Sequence, residues 1–445
     1  MYSLNPCHGD SLRLALAGRT LVRSPACLDV KLMNVLFLQP VLGPSDFDRI
    51  LANPKLDGAI VSAIVTDLDG RTLYEHNSAL HVIPASNQKL LSNAFALWEL
   101  GPDYRPKTLF WKMPSRIVID APGDPTMTYD DLIQARRKLG IDGRFPVYVR
   151  EAYAPEIPDS WEIDDLPNRY SAPVAAFTFD QGAFALWSKR GKASLVPEAF
   201  GVKVKISPAP GDPVVIYDPI KRKLEISGTL PKADKELETL ALPRPDEAAA
   251  SIFGDRFLPT SETPQATPDL VVTGKSTIEM VGACLPPSDN NIAENLLLMG
   301  ARKEGDLGAS PYAVARGRLQ NFLVRVVGVN REDVHPFDGS GLSRHNYVTT
   351  RAIAKLLCWA NSQPTGVAWR GAFAQPGTGT LGNRLKGLVF QAKTGSLDMV
   401  ASLSGYLTMA SGKTVVVSVI LNEYACSAGA ARAVADEFVK AVAAD

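Results

Sequence analysis

The sequence is poor in the residue clusters that carry metal or redox chemistry. Its 445 residues include only five cysteines and five histidines. The cysteines form no CxxC pair, and the histidines form no HExxH or similar cluster. A zinc ribbon, a dithiol redox motif and a metal-hydrolase site therefore have no support in the sequence. We expect neither a metal ion nor an organic cofactor.

An excess of positive charge and a long apolar run are also absent. Lys and Arg together number 47, as do Asp and Glu, so the formal net charge is zero. Because nucleic-acid-binding domains usually carry a basic face, we expect no nucleic-acid partner. No apolar run approaches the roughly 20 residues of a membrane-spanning helix, so we expect no transmembrane span. The length predicts two or three domains.

The N-terminus gives weak support for export. Residues 31–43 begin at a lysine and contain an apolar stretch, which is the outline of a secretory signal. This stretch starts thirty residues into the chain, and Gln39-Pro40 interrupts it. Two interpretations of residues 1–48 therefore stay open: a targeting segment or an irregular N-terminal extension.

Regular patterns near both ends of the chain predict an α+β protein. Residues 58–75 are typical of a β-hairpin, and residues 90–100 are typical of an amphipathic helix. Residues 402–421 predict a second hairpin, and residues 428–443 predict a terminal helix.

The middle of the chain has a different character. Residues 106–269 contain short strand-like runs broken by Pro, Gly and Asp, with one helix at 130–139. We interpret this region as a mostly β inserted domain. It would split a catalytic domain into residues 49–105 and 270–445. Further helices are predicted after the insertion at residues 276–285, 291–303, 313–327 and 349–360.

A serine and a lysine three residues apart precede the predicted helix at 90–100. Ser86 and Lys89 would lie one turn apart on the same face, which places an amine beside a hydroxyl. A serine nucleophile without a histidine needs such a base. Alone, the spacing is weak, since about one chance match is expected in a chain this long. A polar first helical turn is the alternative.

Two further motifs support the first. Ser288-Asp289-Asn290 opens a predicted helix, where these residue types are also good N-caps. Lys393-Thr394-Gly395-Ser396 lies on a predicted edge strand before the last hairpin, where a polar strand end is the alternative. The three motifs in this order, each at the boundary of a predicted element, are more specific than any one of them.

The three motifs resemble the SxxK, SxN and KTG motifs of the serine DD-peptidases and β-lactamases. More narrowly, the chain resembles the D-alanyl-D-alanine carboxypeptidases/endopeptidases typified by penicillin-binding protein 4. The resemblance runs from about residue 51 to the C-terminus. It implies a split domain with an antiparallel sheet flanked by helices, and an inserted domain. The stretch from Ser86 to Ser288 is shorter than in the three-domain members of that family, so we expect one inserted subdomain to be reduced here. Further familiar stretches are Gly123-Asp124-Pro125-Thr126, residues 161–174, residues 338–344 and Gly379-Thr380-Leu381.

The resemblance implies roles for the residues of the first two motifs. Ser86 would attack the carbonyl of the penultimate D-alanine, and Lys89 would take its proton. Ser288 would relay a proton to the leaving amine. Asn290 would hold Lys89 and hydrogen-bond the substrate amide.

The third motif would bind the terminal carboxylate of the substrate. Lys393, Thr394 and Ser396 offer a cation and two hydroxyl donors. Gly395 would let the substrate backbone approach the strand closely. The oxyanion hole would consist of the backbone N–H groups of Ser86 and Ser396.

Three other residues near the motifs need an interpretation. Arg344 is a candidate for binding acidic groups on the peptide stem, and a surface arginine beside a loop is the alternative. Asp338 is expected to order the turn before Arg344. Cys284 is expected to be a buried apolar side chain and not a second nucleophile.

Lys89 can act as a base only if its pKa is lowered. A free lysine has a pKa of about 10.4, and lowering it by three units needs about 4 kcal/mol. The positive end of a helix supplies only ~0.3–1 kcal/mol. We therefore expect burial and the charge of Lys393 to supply most of the shift.

The sequence thus predicts a serine-type D-Ala-D-Ala carboxypeptidase/endopeptidase that cleaves peptidoglycan stem peptides or cross-links through an acyl-enzyme. β-Lactams are expected to acylate the same serine as substrate mimics. The alternatives are a β-lactamase or esterase of the same fold, or a non-catalytic peptidoglycan-binding protein. The resemblance also implies a periplasmic or other extracytoplasmic location, and a homo-oligomer is left open.

Overall fold

A computed structural model describes residues 44–198 and 201–445 of the chain. The signal-like stretch at 31–43 and the first two cysteines, Cys7 and Cys27, lie outside the described residues. Within the described ranges, no helix combines the length and the apolar character needed to cross a membrane.

The described residues form helices and strands in comparable measure. The α-helices are α1 (Pro44–Leu51), α2 (Gln88–Leu100), α3 (Tyr129–Lys138), α4 (Pro245–Ser251), α5 (Thr277–Cys284), α6 (Asn290–Arg302), α7 (Pro311–Phe322), α8 (Thr350–Ser362), α9 (Gly366–Gly371) and α10 (Ala428–Ala444). The strands are β1 (Ile60–Asp67), β2 (Thr72–His76), β3 (Lys107–Met113), β4 (Arg116–Ala121), β5 (Pro146–Glu151), β6 (Ala183–Lys189), β7 (Lys192–Val196), β8 (Lys203–Ser207), β9 (Val214–Asp218), β10 (Lys223–Ser227), β11 (Lys235–Ala241), β12 (Arg256–Pro259), β13 (Leu270–Thr273), β14 (Val334–His335), β15 (Tyr347–Val348), β16 (Phe390–Leu397), β17 (Val400–Thr408) and β18 (Thr414–Asn422).

The main sheet is antiparallel and has the order β16-β17-β18-β1-β2. β1 pairs with β18, so that Ile60 lies opposite Asn422 and Asp67 opposite Val415. This pairing joins two distant parts of the chain in one sheet. All residues of β17 except Thr408 are buried, because both faces of the sheet are covered. The KTG motif lies on β16, which is an edge strand as expected.

Helices cover the two faces of the main sheet. On one face, α2, α5, α6, α7 and α8 enclose a continuous apolar core. On the other face, α1 and α10 pack against the sheet, where the rings of Phe47, Tyr74 and Phe438 contact one another. The helix α1 begins at Pro44, inside the segment 1–48 that we treated as an extension. The predicted α+β class, with helices flanking an antiparallel sheet, is confirmed.

The region between α2 and α5 has sheets and a core of its own. A five-stranded sheet has the order β12-β5-β4-β3-β13, and two three-stranded sheets have the orders β11-β6-β7 and β8-β10-β9. Their shared apolar core includes Phe110, which packs against Phe253, and Phe184, which packs against Tyr217. The strand β13 lies just past residue 269 and yet pairs with β3. The extent 106–269 for this insertion stays a prediction.

Candidate active site

Ser86 lies on a short 3-10 turn, Ala85–Asn87, directly before α2. Lys89 follows on the same side, and its side chain is fully buried. Its Nζ donates to the Ser86 Oγ at 3.0 Å. The serine itself is only half-buried and lines an open cleft. The structure thus places an amine against an accessible hydroxyl, as the spacing predicts.

The Lys89 amine has two further acceptors from distant parts of the chain. Asn290 Oδ1 accepts from it at 2.6 Å, and the carbonyl oxygen of Ser340 accepts at 2.8 Å. Asn290 therefore holds Lys89 as predicted. Its Nδ2 donates to the carbonyl of Tyr170 at 2.8 Å, so in this structure the amide donor faces the insertion.

A second serine–lysine pair stands beside the first. Lys393 is fully buried, and its Nζ donates to Ser288 Oγ at 2.8 Å and to the Thr394 carbonyl at 2.7 Å. Ser288 has a φ of 65°, in the left-handed region that non-glycine residues rarely adopt. Such backbone persists where the surroundings hold it in place. The three motifs predicted from the sequence therefore converge on one location.

Gly395 lies against the Ser86 turn. A Cβ on this glycine would lie 2.8 Å from the backbone nitrogen of Ser86 and 2.2 Å from Ser402 Oγ. Asn87 ties both β16 and β17 to the turn, since its Nδ2 donates to the Lys393 carbonyl at 3.2 Å and to Ser402 Oγ at 2.7 Å. We predicted that Gly395 would admit the substrate backbone. The close approach that the structure shows is made by the protein itself, and it sets β16 beside the serine.

The pKa values of the two lysines are lowered, mainly by burial. Burial lowers the pKa of Lys89 below its ordinary value, while the nearby Cys284 and the carboxylates of Asp338, Glu294 and Asp289 oppose this shift. For the other lysine, burial and the charge of the Lys89 amine bring the pKa well below its ordinary value. The positive charge expected of Lys393 stays a prediction, because burial disfavours the ammonium form of both lysines.

The turn at residues 338–341 supplies the Ser340 carbonyl. Asp338 accepts from the N–H groups of Gly341 and Ser343 at 2.7 Å each, so it orders this turn as expected. The buried Glu294 accepts from the N–H groups of residues 339 and 340 at 2.8 and 2.7 Å. Gly341 has a φ of 84°, and a Cβ there would lie 1.8 Å from the Ala85 carbonyl oxygen. The turn is therefore fixed against the serine.

A cleft of about 420 Å³ opens beside Ser86. Arg344 lies in this cleft, where its Nε donates to Glu162 Oε1 at 3.1 Å and its Nη2 to the Asp398 carbonyl at 3.0 Å. Its charge is thus paired before any substrate binds. Side chains of the insertion that we did not single out as site residues also line the cleft, and they are Glu162, Asp165 and Tyr170.

The strand β16 presents hydroxyl groups at the same place. Ser396 lines the cleft, and Thr394 Oγ1 donates to Thr380 Oγ1 at 2.7 Å. Thr380 belongs to the Gly379-Thr380-Leu381 stretch, which the motif resemblance included without assigning it a role. Its exposed position beside Thr394 adds a third hydroxyl.

Cys284 is fully buried, and burial raises the pKa of its thiol to about 12. It donates to the Asp289 carbonyl at 3.4 Å. A thiol with a raised pKa is a poor nucleophile, which agrees with the expected structural role. In the ranges that the structure describes, no group of three His, Cys, Asp or Glu side chains could hold a metal ion.

The arrangement of these side chains defines a class of protein. The site contains a half-buried serine, a buried lysine base and a second serine–lysine pair beside an open cleft. These are the parts of a serine acyltransferase or hydrolase that uses no histidine.

Comparison with known proteins identifies the family. The profile of the D-Ala-D-Ala carboxypeptidase 3 (S13) family matches residues 44–444. The chain therefore belongs to this family of serine D-Ala-D-Ala carboxypeptidases. The resemblance recognised in the motifs is confirmed. The family assignment also favours the predicted enzyme over the β-lactamase, esterase and non-catalytic alternatives.

Individual proteins are similar to this chain in sequence or in fold. A D-alanyl-D-alanine carboxypeptidase of an Actinomadura species is 28% identical over 430 residues, covering 81% of this chain and 78% of the relative. The crystal structure of penicillin-binding protein 4 (dacB) from Haemophilus influenzae matches with a TM-score of 0.74 and 21% identity. It covers 90% of this chain and 98% of that chain. A structure of the same protein with a β-lactam matches with a TM-score of 0.68 and 21% identity, covering 89% and 97%.

Proposed function

We propose that this protein cleaves the D-Ala-D-Ala end of peptidoglycan stem peptides, or the cross-links between them, through an acyl-enzyme on Ser86. The observation that carries the proposal is the contact of 3.0 Å between Ser86 Oγ and the buried Lys89 Nζ. The cleft beside it, of about 420 Å³, is in the size range of small-molecule and peptide sites.

In the acylation step, Ser86 Oγ attacks the carbonyl carbon of the penultimate D-alanine. A C–O bond forms, and the Oγ proton passes to the neutral Lys89 amine. The carbonyl oxygen becomes an oxyanion, which the backbone N–H groups of Ser86 and Ser396 would stabilise. The close packing of Gly395 against the Ser86 nitrogen supports this role, because it brings β16 next to the serine.

In the second half of acylation, the C–N bond breaks and the terminal D-alanine leaves. The proton on Lys89 reaches the leaving nitrogen through the Ser288 hydroxyl, which Lys393 orients by its hydrogen bond of 2.8 Å. Water then attacks the ester, Lys89 takes a proton from this water, and Ser86 Oγ is reprotonated as the shortened peptide leaves. Each proton taken up is returned, so the cycle needs no external co-reactant besides water.

The terminal carboxylate of the substrate would bind at β16. Thr394, Ser396 and Thr380 offer three hydroxyl groups there. A carboxylate at this position favours the ammonium form of the nearby Lys393. That ammonium in turn favours the neutral form of Lys89. Substrate binding would therefore prepare Lys89 to act as the base.

The rim of the cleft carries more negative than positive charge. Glu162, Asp165 and Asp398 line it, whereas its Arg344 is already paired with Glu162. We therefore propose that the stem peptide is recognised through a free amine on its third residue. The binding of acidic stem groups by Arg344 stays a prediction, and the pairing of this arginine with Glu162 does not support it.

Two consequences follow from the chemistry. A β-lactam carries a reactive amide and a carboxylate in the arrangement of the substrate, so it should acylate Ser86 and be released slowly. Because peptidoglycan lies outside the cytoplasmic membrane, we propose that the protein works in the periplasm or another extracytoplasmic compartment.

The experiment is to incubate the purified full chain with a peptide that ends in Lys-D-Ala-D-Ala and to measure the release of D-alanine. The same peptide with its lysine amine acetylated tests the acidic rim. We expect release by the wild type, none by Ser86→Ala, and slower release from the acetylated peptide. Release by Ser86→Ala at the wild-type rate would contradict the proposed nucleophile.

A further inference from the structure

One turn of the insertion reaches the catalytic motif at 288–290. This turn is a short 3-10 helix, Arg169–Ser171. Arg169 Nη2 lies 2.8 Å from Asp289 Oδ2, and the carbonyl of Tyr170 accepts from Asn290 Nδ2 at 2.8 Å. Two consecutive residues of the insertion thus bind two consecutive residues of the motif.

The contact with Asp289 completes the partners of a nearly buried carboxylate. The side chain of Asp289 is only 7% exposed. Its Oδ1 caps α6 by accepting the N–H of Ile292 at 3.0 Å, and its Oδ2 accepts from Arg169. The same Arg169 nitrogen donates to Gln181 Oε1 at 2.9 Å, which anchors the guanidinium to the insertion. Without Arg169, one oxygen of this carboxylate would lose its charged partner.

The contact with Asn290 selects the orientation of its amide. A backbone carbonyl can only accept, so the Tyr170 oxygen requires the NH₂ end of the amide. The oxygen end is then left facing Lys89, from which it accepts at 2.6 Å. The reversed amide would set its NH₂ group against the amine and its oxygen against the carbonyl. The insertion therefore determines which end of Asn290 meets the proposed base.

The motif also contains strained backbone that needs support. Ser288 adopts a φ of 65°, and its Oγ must stay within reach of Lys393. Asp289, the next residue, is held from one side by α6 and from the other by Arg169. A residue in the left-handed region relaxes when its neighbours are released.

We propose that Arg169 is a positioning residue for acylation: it holds the 288–290 motif from the insertion, so that Asn290 and Ser288 face the two lysines correctly. Arg169 acts through Asp289 and through the turn that carries the Tyr170 carbonyl. This inference rests on the proposed role of Ser86 and Lys89. It gives the insertion a part in catalysis that does not depend on contact with the substrate.

The chain offers a matched control for this arginine. Arg150 pairs with Asp120 inside the insertion, on the neighbouring strands β5 and β4, with an Nη2–Oδ2 distance of 2.6 Å. The exposed fractions are similar: 43% for the Arg169 side chain and 37% for that of Arg150. The acidic partners are 7% and 18% exposed. Replacing either arginine with alanine therefore removes one partly exposed guanidinium group from one carboxylate.

The test measures the rate constant for acylation of the full chain by a fluorescent penicillin, a compound too small to depend on distant peptide contacts. Arg169→Ala should acylate about tenfold more slowly, as expected for the loss of one charge-assisted hydrogen bond. Arg169→Lys should recover part of the rate, and Arg150→Ala should stay within about twofold of the wild type. With a D-Ala-D-Ala peptide, the loss in Arg169→Ala should fall on kcat more than on KM.

The outcomes separate this inference from the proposed function. If the wild type forms a Ser86-dependent adduct and Arg169→Ala forms it at the same rate, the positioning role is wrong and the nucleophile stands. If Arg150→Ala slows acylation as much as Arg169→Ala, the effect is a general loss of stability and the inference is again wrong. If the wild type forms no adduct, the proposed function and this inference both fail.

Discussion

The surroundings of Ser86–Lys89 and of Ser288–Lys393 differ, although both pairs consist of a buried amine and a serine hydroxyl. Lys89 is held by a serine oxygen, the Asn290 amide and the Ser340 carbonyl. The Lys393 amine donates to the Ser288 hydroxyl and to the Thr394 carbonyl. The first amine therefore has the more complete set of acceptors.

The charges around the two amines differ in the same direction. Three carboxylates favour the ammonium form of Lys89, whereas the charged neighbour that acts most on Lys393 is the Lys89 amine itself. Two equally buried lysines thus have charged neighbours of opposite effect: the carboxylates near Lys89 raise its pKa, and the Lys89 amine lowers the pKa of Lys393. A substrate carboxylate at β16 would favour the ammonium form of Lys393 and, through that charge, the neutral form of Lys89 that acts as the base.

Removal of Lys89 should have the largest effect. Lys89→Ala deletes the base, so the acylation rate constant should fall by about 10²–10⁴-fold. The measurement is the time course of adduct formation with a fluorescent penicillin. A melting curve for the variant provides the control, since loss of folding would also abolish labelling. Acylation of a folded Lys89→Ala at the wild-type rate would show that another group takes the proton.

Removal of Lys393 should have a smaller effect that depends on the substrate. Lys393→Ala should slow cleavage of a peptide with a free terminal carboxylate by about 10–100-fold, because it loses a charge-assisted contact worth about 1.5–3 kcal/mol. The same peptide with a C-terminal amide provides the control. The wild type should distinguish the two peptides strongly and the variant weakly. Equal losses on both peptides would place Lys393 outside carboxylate recognition.

Replacing Glu294 should have the smallest effect, a shift in the pH dependence of acylation. Since the neutral amine is the base, acylation should rise with pH through the pKa of Lys89 and be lost as the pH falls below it. The rise should lie below 10.5, the value for an unperturbed lysine. Above a pH of about 8, where Glu294 is ionised, its charge favours the ammonium form of Lys89, and Glu294→Gln removes that charge. The part of the profile above this pH should therefore shift to lower pH.

The same variant has a consequence for stability and a matched control. Burial, with Asp338 nearby, raises the pKa of Glu294 from 4.5 to about 8. Between these values the folded state binds more protons than the unfolded state, so stability falls as the pH rises. In Glu294→Gln, the melting temperature should therefore fall less steeply as the pH rises. Glu151 has a pKa raised to about 8 and faces Asp246 and Arg244 instead of Lys89. Glu151→Gln should change the slope of stability and leave the acylation profile unchanged.

The sequence predicted the residues that contribute side chains to the site. Ser86, Lys89, Ser288, Asn290 and Lys393 stand at the boundaries of recognisable elements, and the structure brings them together. Their catalytic roles stay predictions.

Other contacts of the site had no sequence signature. The carbonyls of Ser340 and Tyr170 are backbone atoms, which every residue has, so only the fold shows that they meet Lys89 and Asn290. The contact of Arg169 with Asp289 spans 120 positions along the chain and was equally out of reach.

The fold was predicted in a similarly uneven way. The predicted helix at 291–303 appears as α6 (Asn290–Arg302), because an apolar stripe marks it. The prediction at 313–327 was partly right, since α7 ends at Phe322 and a π-helical turn, Leu323–Val327, follows. We predicted one helix in the insertion, at 130–139, whereas the structure also has α4, which Pro245 begins at the position where proline is well tolerated.

The most direct test of the central claim is to locate the adduct. The wild-type chain is labelled with a penicillin and digested, and the modified residue is identified by mass spectrometry of the peptides. We expect modification at Ser86 alone, with Ser288 unmodified although it too contacts a buried lysine. An adduct on Ser288, or labelling that persists in Ser86→Ala, would contradict the assignment of the two pairs.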